Sequence, residues 1–277
     1  MILTAQLSNA RSRRNVLARP SQQVFLAASA LLFAASAALT IILCGSMSSM
    51  VEMPMPGGWN MSMAWMRMPE QTWTEAAASF LGMWVVMMIA MMLPSLVPML
   101  QRYRQAVDTT SETRLDGLTA LVGVGYFFVW TVFGMAVFPL GSALAQIEMR
   151  QPALARAVPI IAGAVVLVAG LLQFTAWKAH HLASCREALG CSRTLAADAD
   201  IALRHGLHLG LHCSYCCLNL TVILLVVGFM GLRAMAVVTA AITAERLAPA
   251  SHRVERAIGA LAVGASVLLI ARAVGLG

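Results

Sequence analysis

The residues with the most chemistry to offer lie between Arg204 and Leu247, in the stretch RHGLHLGLHCSYCCLNLTVILLVVGFMGLRAMAVVTAAITAERL. Three of the six histidines and three of the six cysteines fall there within 13 residues, in a run apolar enough to be a membrane helix. On a helix advancing about 100° per residue, His205, His208, His212, Cys216 and Asn219 share one narrow stripe. Cys213 lies about 60° to one side of Cys216 and Cys217 about 100°. Imidazoles and thiols gathered in this way suit a late transition metal: thiolate sulfur selects Cu(I) or zinc, and the same donors accept nickel. Polar groups are costly inside a bilayer, so their presence there points to function. The plainer reading treats each cysteine as a small hydrophobe, with His205 and His208 capping the helix at the membrane surface. Six donors on one arc favour the metal.

Other soft or basic donors lie elsewhere. The segment 178–204, KAHHLASCREALGCSRTLAADADIALR, carries His180, His181, Cys185 and Cys191 and leads straight into the Cys/His helix, so these side chains are candidate accessory ligands. The run SFLGMWVVMMIAMMLPSLVPML, residues 79–100, places Met83, Met87 and Met91 on one i, i+4 stripe. Pro94 and Pro98 in the same run should kink or end the helix and free carbonyls toward a cavity. Between residues 45 and 78 the chain holds Met47, Met50, Met53, Met55, Met61, Met63, Met66 and Met68, interrupted by Pro and Gly. Thioethers bind Cu(I) without losing a proton, whereas the structural alternative is a loop of adaptable apolar side chains on the bilayer. Glu245, closing the next helix, is expected near the level of His205 as a carboxylate partner for a ligating imidazole, with Asn219 as a second supporting group.

The elements that must position these residues follow from composition. Of the 277 residues, 60% are hydrophobic and 11% charged, against about a quarter charged in soluble domains, which makes this a membrane protein. The fold class is therefore all-α, a polytopic transmembrane bundle of about seven helices, near 23–44, 79–100, 118–140, 158–177, 205–229, 232–247 and 257–274. A basic N-terminus, 1–22, precedes a single bundle, 23–277, with loops expected over 45–78, 101–117, 142–157 and 178–204. Most of the 19 basic residues fall on alternate loops; Arg67, Arg150, Arg156, Arg233 and Arg272 are the exceptions. That asymmetry predicts a bacterial inner-membrane protein with a cytoplasmic N-terminus, a periplasmic Met-rich loop and a cytoplasmic Cys/His loop. The formal charge of +7 is spread over short loops without an aromatic-basic surface, which argues against a nucleic-acid partner. Phosphate-loop and dinucleotide signatures are missing too, so ATP-driven pumping within this chain is not expected.

Three segments carry a resemblance: MWVVMMIAMMLP in the second helix, GLLQFTAWKAHHLASCRE around the fourth, and the Cys-x-x-Cys-Cys helix with its following Gly-Phe-Met and Glu-Arg. Together, over residues 79–247, they resemble an uncharacterised bacterial family of predicted metal-binding integral membrane proteins. The resemblance implies a multi-helix membrane protein with its metal on Cys213, Cys216 and Cys217. This chain departs from the family pattern at Ser214-Tyr215, at Leu218-Asn219-Leu220, and at Arg246, where the family has Lys.

Three functions fit these observations. The first is a soft-metal handler, with copper as the foremost ion, passing metal to or from a metallochaperone or metalloenzyme partner. The second is a membrane thiol–disulfide oxidoreductase using Cys213 and Cys216. The third is a non-catalytic assembly or scaffold subunit in which the cysteines and methionines only pack. No residue is assigned a catalytic role, and the balance of these readings is against an enzyme.

Overall fold

A computed structural model describes residues 20–48, 53–67, 70–107, 111–187, 196–248 and 251–275. Among these described residues eight helices follow in order: α1 (Pro20–Ser48), α2 (Trp73–Ala106), α3 (Glu112–Arg150), α4 (Pro152–Leu172), α5 (Ala176–Glu187), α6 (Ala199–Gly228), α7 (Leu232–Leu247) and α8 (Ser251–Ala273). Between α1 and α2 lie two short strands, β1 (Met53–Met55) and β2 (Trp59–Met61), and a 3-10 turn at Met63–Trp65. Six helices, namely α1, α2, α3, α4, α6 and α8, are long and apolar enough to cross a membrane. Large apolar side chains such as Leu31, Ile42, Val124, Phe128, Leu140, Val168, Val237 and Leu261 are exposed around the outside. A soluble protein rarely displays so much apolar surface, and lipid contact accounts for it.

Contacts at the helix ends show that the long elements alternate in direction. At one end the Arg104 guanidinium of α2 lies over Phe25 of α1 and pairs with Asp116 of α3. Tyr103 stacks on His205 near the start of α6. At the other end Trp65, Phe80 of α2, Phe138 of α3 and Phe229 after α6 form one aromatic cluster. Gln173, just past α4, bonds to Glu245 in the last turn of α7, and Gly259 of α8 lies against Gln173 and Phe174. The all-α bundle expected from composition is thus the one observed, with α7 too short to count among the six candidate spans.

Several boundaries differ from the expectation, each for a local reason. Helix α2 starts at Trp73 because Thr72 and Glu75 form a reciprocal capping box. It also runs straight past Pro94 and Pro98 to Ala106, so those prolines do not end it. The Ser95 hydroxyl, bonded to the Met92 carbonyl, satisfies one backbone acceptor in that stretch. The loop expected at 142–157 is reduced to Gln151, since α3 continues to Arg150 and Pro152 opens α4 at its first turn. The described part of the segment 178–204 is largely helical: it holds most of α5, and Asp198 caps α6 at Ala199. The Met-rich segment is not an open loop either. Its hairpin pairs Met53 with Met61 and turns through Gly57 and Gly58 at φ of 110° and 77°, a backbone region glycine enters freely. Trp59 donates to the Ala155 carbonyl at 2.8 Å, and Met55 and Met61 are buried against Ala145 and Ala155. Met50, Met68 and Cys191 lie outside the described residues.

The core that positions the thiols is made by glycine. A Cβ on Gly206 would stand 2.3 Å from the Val122 carbonyl oxygen, one on Gly125 2.7 Å from that of Leu203, and one on Gly210 2.9 Å from that of Tyr126. Such approaches demand a missing side chain, so α3 and α6 meet backbone to backbone. That contact carries Tyr126 directly to Cys213.

Candidate metal centre

Cys213, Cys216 and Cys217 are fully buried near the middle of α6, and their sulfurs all lie within 4.8 Å of one another. The Cys213–Cys217 pair is one helical turn apart, with sulfurs at 3.8 Å, and Cys216 Sγ is 3.6 Å from Cys217 Sγ. A thiolate–metal bond of about 2.3 Å puts sulfurs roughly 3.8 Å apart in tetrahedral and about 4.0 Å apart in trigonal coordination. The two pairs that share Cys217 therefore stand near the spacing one soft ion requires, and Cys213 and Cys216 lie within 4.8 Å of each other. The sequence spacing is responsible, since i, i+3 and i+4 side chains project from neighbouring turns of one face.

Charged and hydroxyl groups from four other helices surround the triad. The Tyr126 hydroxyl of α3 donates to Cys213 Sγ at 2.8 Å. Arg246 of α7 donates to the same sulfur at 3.1 Å, to Ser95 Oγ of α2 at 2.8 Å, and to Met99 Sδ at 3.0 Å. On the opposite side Lys178 of α5 donates to the Cys216 carbonyl and, at 3.3 Å, to Asn219 Oδ1. Its ammonium pairs with Glu245 at 2.9 Å, and Gln173 donates to that carboxylate at 3.0 Å. Lys178, Glu245 and Arg246 are all at most 3% exposed. Lys178 and Glu245 offset their burial by pairing with each other, and Arg246 by hydrogen bonds to Ser95, Met99 and Cys213.

Sequence reasoning placed Glu245 too low. After a turn of a few residues, α7 retraces α6 one rise per residue, so its 16 residues reach back only to about Cys213 and Cys216. Reaching His205 would take about two more turns of helix. Glu245 accordingly meets Lys178, and Asn219 helps hold that lysine. The imidazoles stand outside the sulfur group. His205 stacks on Tyr103, His208 is exposed, and His212 is half-buried with its Nε2 3.1 Å from that of His208. His181 stacks on Tyr215, and His180 is exposed beside it. Cys185 belongs to the backbone of α5. On α2, Met87 and Met91 are buried in the same core as the cysteines, and Met83 packs against its margin.

Tyr126, Lys178, Arg246, Ser95 and Met99 were missed as contributors. Lys178 and Arg246 resemble ordinary loop-edge charges in the sequence. Their sequence neighbours give no signal: Trp177 and Ala179 beside Lys178 are exposed, and so is Leu247 after Arg246.

Taken together these features define a class: a multi-pass helical membrane protein with three buried thiols clustered at mid-bundle. The chain belongs to the PpoB2 family, described as a copper chaperone, whose family model matches residues 81–269. That span runs from the first turns of α2 almost to the end of α8 and so contains every residue of the cage. No curated protein and no solved structure gives a significant match.

Proposed function

We propose that this protein is an integral-membrane carrier of Cu(I), which takes the ion on Cys213, Cys216 and Cys217 and passes it to a metalloenzyme or metallochaperone partner. The observation that carries this reading is the burial of three thiols at coordinating distance inside a member of a copper-chaperone family. Copper is preferred to zinc or nickel because an all-sulfur donor set of three suits a soft monovalent ion, whereas zinc sites ordinarily complete four ligands. Arg246 and Tyr126 hold Cys213 in place, and Lys178 fixes the backbone at Cys216. Buried Met87, Met91 and Met99 extend the soft donors along α2, from the cage toward the end bearing the Met-rich hairpin. The protein sits in the bacterial inner membrane with its N-terminus in the cytoplasm, by the distribution of Arg and Lys over the helix connections.

Purified protein titrated with Cu(I) against a competing chelator should bind one ion per triad. The variant Cys213→Ser/Cys216→Ser/Cys217→Ser should lose that ion, while retaining fold by circular dichroism. Equal Cu(I) content in the two proteins would remove the reading.

A further inference from the structure

We propose that His208 and His212 form a second metal site, separate from the thiol cage, that takes a divalent late-transition ion of the zinc type. The two imidazoles are one helical turn apart on α6, with ring centroids 4.3 Å apart and Nε2 atoms facing each other at 3.1 Å. With metal–nitrogen bonds of about 2.0–2.1 Å, that separation gives a nitrogen–metal–nitrogen angle of roughly 100°. This is the cis angle of a tetrahedral or tetragonal divalent ion. A linear two-coordinate Cu(I) ion would need the nitrogens about 4 Å apart on the same bond length.

The position also separates the two sites. His208 is about 140° round the helix from Cys213 and His212 the same from Cys217, while Cys216 shares the imidazoles' stripe one turn beyond His212 and differs from them in being buried. The cysteines point into the bundle and His208 is exposed at its surface. His181 of α5, stacked on Tyr215 three residues beyond His212, flanks the pair. Two protein nitrogens leave the remaining coordination positions to water, which makes the ion exchangeable, unlike one enclosed by three sulfurs. The imidazole pair shares one hydrogen bond between its Nε2 atoms, and the ion replaces it when the donor ring shifts its proton from Nε2 to Nδ1, leaving both rings neutral.

The test uses Co(II) as a spectroscopic stand-in for zinc on full-length protein in detergent, with any affinity tag removed. Wild type should bind Co(II) at this site with ligand-field absorption of nitrogen and oxygen donors. His208→Ala/His212→Ala should lose one equivalent, or bind it at least tenfold more weakly, while its Cu(I) binding stays unchanged. In the triple Cys→Ser background the Co(II) spectrum should persist without a thiolate charge-transfer band. Should that triple variant fail to fold, the double His variant decides alone. Identical Co(II) stoichiometry and affinity with and without the two imidazoles would overturn the proposal. Loss of Cu(I) binding in the double His variant would overturn the proposal by placing the imidazoles in the thiol site, whereas loss of Cu(I) in the triple Cys variant alone bears only on the thiol cage.

Discussion

At the scale of single residues, the cage distinguishes groups that bind from groups that position. Cys213 receives hydrogen bonds from both Tyr126 and Arg246, so the two donors differ in what their loss leaves behind. Tyr126→Phe removes one neutral donor and retains the guanidinium; Cu(I) affinity should fall by less than about tenfold, in keeping with roughly 1 kcal/mol for such a bond. Arg246→Met removes a charged donor together with its links to Ser95 and Met99. Chelator competition should show Cu(I) affinity falling by about 10- to 100-fold, the usual effect of losing a group that orients a metal ligand. Lys178→Met tests stability instead. It strands the buried Glu245 carboxylate, which typically costs about 3–5 kcal/mol, and thermal unfolding in detergent should fall markedly. Adding Glu245→Met should recover much of that loss, and no recovery would mean that the pair is not the reason for the destabilisation.

At the scale of elements, glycine contacts set the geometry. Helices α3 and α6 touch through Gly125, Gly206 and Gly210, and any side chain at Gly206 would meet the backbone of Val122 rather than a movable group. Gly206→Ala should therefore push the helices apart, lowering stability by about 1–3 kcal/mol and lengthening the Tyr126–Cys213 contact. Gly123→Ala, on the same α3 but with nothing within 4 Å of the added methyl, should be neutral or slightly stabilising. A thermal shift of the same size in both would show that helix propensity, not close approach, governs. The helix that stops short matters as much. Because α7 ends at Leu247, its final turn delivers Glu245 and Arg246 to the depth of the thiols instead of to a membrane surface.

At the scale of the whole molecule, burial changes how the basic residues should be counted. Lys178 and Arg246 look like loop charges in the sequence, yet both are tied into the cage. Arg104 is likewise buried and paired with Asp116. The charges that remain to set orientation include Arg204, Arg253 and Arg256, in the first turns of α6 and α8 at the same end as the start of α1. Gly163 lies against Ile270 and Gly170 against Ala262, so α8 runs antiparallel to α4 and ends opposite the beginning of α1. Reporter fusions at the two termini should accordingly report opposite sides of the membrane; the same side for both would show that α8 does not cross antiparallel to α4.

The amino-acid sequence by itself determined the helical class and the run of three histidines and three cysteines on α6 as candidate donors, because apolar length and i, i+4 spacing are local properties. Boundaries depended on caps and on Pro152, which are also local but easily read past, as at Gln151 and Thr72. Only the tertiary structure decided which donors meet. Helix periodicity puts His212 and Cys216 on one stripe, but it cannot say that neighbouring helices cover the sulfurs and leave His208 at the surface. Nor can it show that a lysine from α5 and an arginine from α7 converge on one cage. Those contacts join residues far apart in the chain, and they exist because glycines let α3 and α6 close up and because α7 is 16 residues long.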